Sequence, residues 1–171
     1  MSTVRPSTVA SRHEPGSRPR VVIAGVGSEY RRDDGAGPVV AARTVAEVPA
    51  THLIGPIVDP LDLLGRWDGA DLAVVIDAMR SGAPPGTVRM FELTETSVSS
   101  TPGVTSTHGI SLSGVLRLAQ AIDQAPDRVV FVGIEGDDFG RGPGLSSAVD
   151  AAIPVAVREV VDLIREVQAC A

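Results

Sequence analysis

The side chains able to do chemistry gather at three points of this chain. The first is Gly25-Val-Gly27-Ser-Glu-Tyr-Arg-Arg-Asp33-Asp34-Gly35-Ala-Gly37, in which glycines flank two adjacent acids. The second is Asp77, an acid closing the apolar run Leu72-Ala-Val-Val-Ile76. The third is Ser106-Thr107-His108-Gly109. Carboxylates and imidazole are groups that orient or deprotonate water and that ligate metals. Each residue also has an ordinary structural reading. Asp34 at a helix start is a favoured N-cap, although Asp33 beside it can serve as the cap or turn residue and leave Asp34 free. Asp77, at the end of a buried strand, must be paired or bound to something. A lone loop histidine such as His108 is more often structural or solvated than functional. His52 falls within a strand and His13 within the N-terminal tail, and neither is a strong candidate.

Several familiar sites are missing. Gly25-x-Gly27 begins like a dinucleotide fingerprint, but Tyr30 stands where the third glycine belongs. There is no Gly-Lys-Ser/Thr phosphate loop. Gly109-Ile-Ser111-Leu-Ser113 lacks the second glycine of a nucleophile elbow. Neither His-Glu-x-x-His nor Cys-x-x-Cys occurs, so standard zinc sites are absent.

The elements that must position these residues follow from periodicity. Arg20–Gly25 and Arg128–Gly133 are continuous apolar runs ending in glycine, as expected of central parallel strands buried on both faces. Asp71–Asp77 is a third such strand and His52–Val58 a further one. Thr87–Leu93 has the mixed pattern of an edge strand. Helical spacing runs through Val39, Val40, Ala42 and Val45, and Pro38 belongs in the first turn of that helix, which places its start at or just after Asp34-Gly35. Asp59–Trp67 reads as a short helix capped by Asp59 with Pro60 at its first position. Residues 109–122 carry one apolar helical face. The last helix runs to about Val167, with Pro154 starting or kinking it. Thr94–Thr107 and residues 135–145 are loops. The alternation predicts an α/β fold, a three-layer domain around a mostly parallel sheet, whose ligand crevice lies beyond the carboxyl ends of the strands. All three chemical clusters follow or close such elements, so they can converge at one end.

Composition narrows the partners. The chain has 171 residues, 43% hydrophobic and 21% charged, enough for one domain with a sizeable core. Aromatics make up 3% and net charge is −6, which together disfavour a nucleic-acid partner. All 15 basic residues are arginine and they are scattered, a pattern of genome composition rather than of an anion site. The single cysteine, Cys170, excludes an internal disulfide and fits a reducing compartment. No apolar run is long enough to span a membrane, and the first 20 residues lack the apolar core of a secretory signal, so a cytoplasmic location without membrane partners is expected. Residues 1–19, with Pro6, Pro15 and Pro19, read as a disordered N-terminal tail ahead of a domain over 20–168.

These residues resemble a known family. Residues 22–38, Val-Ile-Ala-Gly-Val-Gly-Ser-Glu-Tyr-Arg-Arg-Asp-Asp-Gly-Ala-Gly-Pro, are similar to the opening of the hydrogenase maturation peptidases. The likeness continues through Leu-Ala-Val-Val-Ile-Asp-Ala (72–78), Gly-Ala-Pro-Pro-Gly-Thr (82–87), Ser-Thr-His-Gly-Ile-Ser-Leu (106–112), Val-Gly-Ile-Glu-Gly (132–136) and Gly-Pro-Gly-Leu-Ser (142–146), in order across residues 20–168. One departure is Ser28, where the family usually has asparagine. The resemblance implies a twisted five-stranded sheet with helices on both faces. It implies an aspartyl-type endopeptidase that removes the C-terminal extension of a hydrogenase large-subunit precursor once nickel is in place. It assigns Asp34, Asp77 and His108 as both the catalytic residues and the residues that contact nickel, with the metal carried by the substrate and none required in the free enzyme. Two other readings stand beside it: a non-catalytic nickel-sensing chaperone or docking module on the same fold, and a small domain that binds a nucleotide at the first turn.

Overall fold

The computed structural model describes residues 18–93 and 111–170. Five strands form one sheet: β1 (Val21–Val26), β2 (His52–Ile57), β3 (Leu72–Met79), β4 (Val88–Glu92) and β5 (Arg128–Glu135). Their order is β2-β1-β3-β5-β4, and only β4 runs antiparallel to its neighbour. Among the described residues three α-helices accompany them: α1 (Ala36–Glu47), α2 (Leu112–Ala121) and α3 (Ser147–Ala169).

The apolar runs of the strands are continuous because both sheet faces are covered. Successive side chains point to opposite faces, and two separate cores result. Val21, Ile23, Val74, Ile76, Val130, Val132 and Ile134 pack with α1 and α3. Val22, Ala24, Val75, Phe131 and Met79 pack with α2 and with Leu63 and Trp67. This is the expected three-layer α/β/α sandwich around a mostly parallel, five-stranded sheet.

Chain direction fixes where a site can form. From β1 the chain crosses to β2 on one side, whereas β3 leads onward to β4 on the other. The gap between β1 and β3 is therefore the point at which the topology reverses, where the carboxyl ends of an open α/β sheet leave a crevice. Asp34 follows β1 and Asp77 lies on β3.

Several boundaries differ from the sequence reading. β3 does not stop at Asp77 but runs two residues further, because Asp77, Ala78 and Met79 continue to pair with Gly133, Ile134 and Glu135 of a β5 that is itself longer than expected. The predicted helix over Asp59–Trp67 is only a 3₁₀ turn, Pro60–Leu63, although Asp59 does cap it by accepting from the Leu61 amide. α3 begins at Ser147, so Pro154 lies inside it rather than at its start. Pro154 cannot donate to the carbonyl of Asp150, but both residues are exposed, so water can serve that carbonyl. The expected tail lies outside the described residues except for Arg18 and Pro19, as do the 94–107 loop and His108. Among the described residues, no helix is long and apolar enough to cross a membrane.

Candidate active site

The glycines of the first motif let α1 sit directly on the strand ends. A Cβ on Gly37 would lie 2.4 Å from the carbonyl oxygens of both Val26 and Ile76, the last of which ends the pairing of β3 with β1. A Cβ on Gly25 would meet the Gly37 carbonyl oxygen at 2.6 Å. Gly27 has φ +119°, and a side chain there would run into the Asp34 backbone. The start of α1 is thus pressed over the β1–β3 gap, and the 3₁₀ turn Arg32–Gly35 just before it packs against β3.

Asp34 is not the cap of α1. The N-cap position is Gly35, and no side chain bonds there. Instead the Asp34 carboxylate reaches back and accepts from the Ser28 amide at 2.9 Å, with the Arg31 guanidinium 4.0 Å away. Ser28 itself does not take the left-handed conformation for which asparagine is suited; Arg32 does, at φ +53°. The serine hydroxyl accepts from the Tyr30 amide at 3.4 Å, a loose local turn bond.

Asp77 alternates with Val75 and Met79, which places it on the α2 face of the sheet. It is half-buried. Burial pushes its carboxyl well above the ordinary carboxylate range, the negative charge of Asp34 pushes it further, and the Ala78 amide opposes both. The structure therefore brings two of the three expected residues together as electrostatic neighbours. His108 lies outside the described residues, three positions before Ser111, the N-cap of α2. Among the described residues no three His, Cys, Asp or Glu side chains form a group able to hold a metal ion. The repulsion between the two acids favours a proton on Asp77 or a cation supplied from outside.

Two further carboxylates shape this end of the sheet. Asp33, expected to serve as a local cap or turn residue, is fully buried. It accepts from the amides of Asp137 (2.8 Å), Asp138 (2.9 Å) and Ser146 (2.6 Å) and from the Ser146 hydroxyl (2.9 Å). Burial alone would raise its carboxyl, but those donors outweigh burial and hold it below the ordinary value. Glu135, also buried, accepts from the Ser81 and Gly82 amides and the Ser81 hydroxyl, which fixes the turn leaving β3. Arg80 in that turn lies 4.5 Å from the ring centre of Phe139. Glu135 carried a signal that sequence reading could have used: it is an acid two residues beyond the apolar run that ends at Gly133. Asp33 carried none, because its partners are more than 100 residues away.

Comparison with known proteins agrees with this architecture. The HycI family model, hydrogenase maturation protease, matches residues 51–163. The hydrogenase expression/formation protein HoxM of Cupriavidus necator is 30% identical over 152 residues, which cover 85% of this chain and 74% of that protein. The hydrogenase 2 maturation protease of Escherichia coli is 26% identical, covering 86% of this chain and 92% of the other. The structure of the NiFe hydrogenase maturation protease HybD from Thermococcus kodakarensis superposes with a TM-score of 0.67 at 30% identity, over 85% of this chain and 99% of that one. The E. coli hydrogenase maturating endopeptidase HybD shares the fold, with a TM-score of 0.70 at 22% identity over 86% and 93% of the two chains. The family model matches most of the chain, including Asp77, and a 30%-identical relative covers 85% of it, so this chain belongs to the hydrogenase maturation protease family and is a peptidase.

Proposed function

We propose that this peptidase removes the C-terminal extension of a hydrogenase large-subunit precursor, and that it acts only after nickel has been inserted into that precursor. The observation that carries the reading is the coupling of Asp34 and Asp77 across the gap between β1 and β3, where each acid is held by its own element. An acid pair of this kind is an incomplete coordination shell. It suits a metal whose other ligands arrive with a partner, and His108 would add an imidazole, which nickel accepts readily. The nickel is thus part of the substrate. Binding through it would place the peptide to be cut beside the two carboxylates. One carboxylate, ionised, can orient or deprotonate the attacking water, while the other, held protonated by its surroundings, can donate a proton to the leaving amine. This division of labour is what the finer description, an aspartyl-type endopeptidase, would mean in this chain.

The test is the intact mass of a co-expressed large subunit with and without this protein, in nickel-replete and nickel-depleted cells. Loss of the C-terminal extension only in the replete, enzyme-containing sample is the expected result. Equal processing of nickel-free precursor would remove the metal-reading role and leave a metal-indifferent peptidase. An Asp34→Asn variant that processes at the wild-type rate would remove Asp34 from the site.

A further inference from the structure

We propose that Asp33 is a positioning residue of the peptidase, its buried carboxylate clamping the 137–146 loop onto the turn that carries Asp34. This rests on the role given to Asp34 above. The geometry is unusually complete for one side chain. Four donors converge on the carboxylate, three of them backbone amides of a segment more than 100 residues distant. The backbone continues the same seam: the Asp33 amide donates to the Asp138 carbonyl, the Arg32 amide to the Gly142 carbonyl, and the Gly142 amide to the Tyr30 carbonyl.

Each end of the seam is anchored in a rigid element. The 137–146 loop leaves β5 through Gly136, whose amide donates to the Met79 carbonyl, and it enters α3 at Ser146. Ser146 occupies the N-cap position of this 23-residue helix but makes no capping bond within it. Its amide and hydroxyl both go to Asp33, so the carboxylate sits at the positive end of the helix. On the other side, the peptide joining Asp33 to Asp34 is fixed twice, by the Asp33 carboxylate and by the Asp34 bond to Ser28. Removing the Asp33 charge would take the shared acceptor from three part-buried amides and free the Asp34 turn to shift while leaving both hydrophobic cores untouched. The glycine-rich loop is thereby a brace for the acid pair, and Asp33 is the part of the turn that engages it.

The experiment compares Asp33→Asn with wild type on a nickel-loaded hydrogenase large-subunit precursor, together with amide hydrogen exchange read by mass spectrometry. Asparagine keeps the size but turns an NH₂ toward amide donors. The expected result is a kcat reduced about 100-fold, as for a reacting group misplaced by about 1 Å, with KM little changed. Exchange should quicken in 28–35 and 136–146 together, with β1 and β3 still protected. Ser146→Ala removes the hydroxyl alone and should give a smaller loss of the same kind; it carries the test if Asp33→Asn does not fold. Loosened segments with full kcat would overturn the proposal, since the seam would then be structural only. A lost kcat with unchanged exchange would also overturn it, since Asp33 would then act on the reaction directly. Asp34→Asn assayed alongside separates the two readings. If Asp34→Asn is inactive while Asp33→Asn is fully active, only the positioning role fails; if Asp34→Asn is fully active, the underlying reading of Asp34 fails.

Discussion

Replacing Gly37 by alanine sets two energies of opposite sign against each other. Gly37 lies in the first turn of α1, and alanine in a helix is favoured over glycine by up to about 1 kcal/mol. Were propensity the whole account, Gly37→Ala would stabilise the protein. The new Cβ, however, would lie 2.4 Å from the Val26 and Ile76 carbonyl oxygens, 0.6 Å inside the 3.0 Å below which real Cβ contacts essentially never fall. Both obstacles are backbone, on opposite sides of the β1–β3 gap, so neither can swing aside as a side chain would. Overpacking of this kind costs about 1–3 kcal/mol, and two rigid contacts place the cost at the upper end. The net expectation is a loss of about 1–2 kcal/mol, which for a domain of this size lowers Tm by roughly 2–4 °C per kcal/mol. Because the clash is relieved by lifting the start of α1, the preceding turn with Asp34 should move with it, and cleavage should fall about 100-fold even where the variant is fully folded. Calorimetry and a precursor-processing assay at low temperature read the two effects separately. A variant with a raised Tm and full activity would refute the close approach of α1 to the strand ends as the reason for this glycine.

Three further outcomes follow from the same site. Asp34→Asn should lower the Asp77 pKa, since one of the two influences that raise it is removed; burial remains, so the value should stay above the ordinary 3.8. Carboxyl carbon shifts in an NMR titration check this, and an unmoved Asp77 would show that the two acids are not neighbours. Asp33 bears on acid stability: its folded pKa lies below the ordinary 3.8, so its contribution is fully present above about pH 4 and is lost as pH falls through the lowered folded value. The stability gap between wild type and Asp33→Asn in urea should therefore be constant near neutrality and shrink below about pH 4; a gap independent of pH would contradict it. Gly25→Ala, whose Cβ would meet the Gly37 carbonyl oxygen and the Pro38 Cα at 2.6 Å, should resemble Gly37→Ala in both stability and processing.

Much of the fold was legible because its signals are local. The unbroken apolar runs of β1, β3 and β5 announce strands covered on both faces, and the two cores bear this out residue by residue. Pro38 and the 109–122 periodicity located α1 and α2 within a few residues. Strand ends were less legible. Nothing in Asp77-Ala-Met79 or Ile134-Glu135 alone looks extended, and only their mutual pairing carries both strands past the points where the apolar runs stop. Of the two roles expected of Pro154, starting or kinking the last helix, the first does not hold: α3 begins at Ser147 and passes through Pro154, which like Asp150 is exposed.

The site divides along the same line. Asp34 and Asp77 stood out as acids at a motif and at a strand end, and the switch of chain direction between β1 and β3 brings them to one end of the sheet, where Asp34 bears electrostatically on Asp77. Asp33 shows how such inference fails. Beside Asp34 in the chain, it looked like the residue that would cap the helix and release its neighbour. In the fold it is the more deeply buried of the two, and its partners come from the far end of the sequence. The two adjacent carboxylates point to different tasks because their hydrogen-bond donors differ. Asp33 is saturated by four donors, three of them amides, so its charge is consumed in holding the loop. Among the described residues, Asp34 receives one amide bond and a distant guanidinium, fewer donors than its two oxygens can accept. An acid with spare acceptor capacity can receive a further donor or a cation; an acid without it can only hold what it already binds. Counting donors, which requires the structure, therefore distinguishes the two adjacent acids where residue type and spacing cannot.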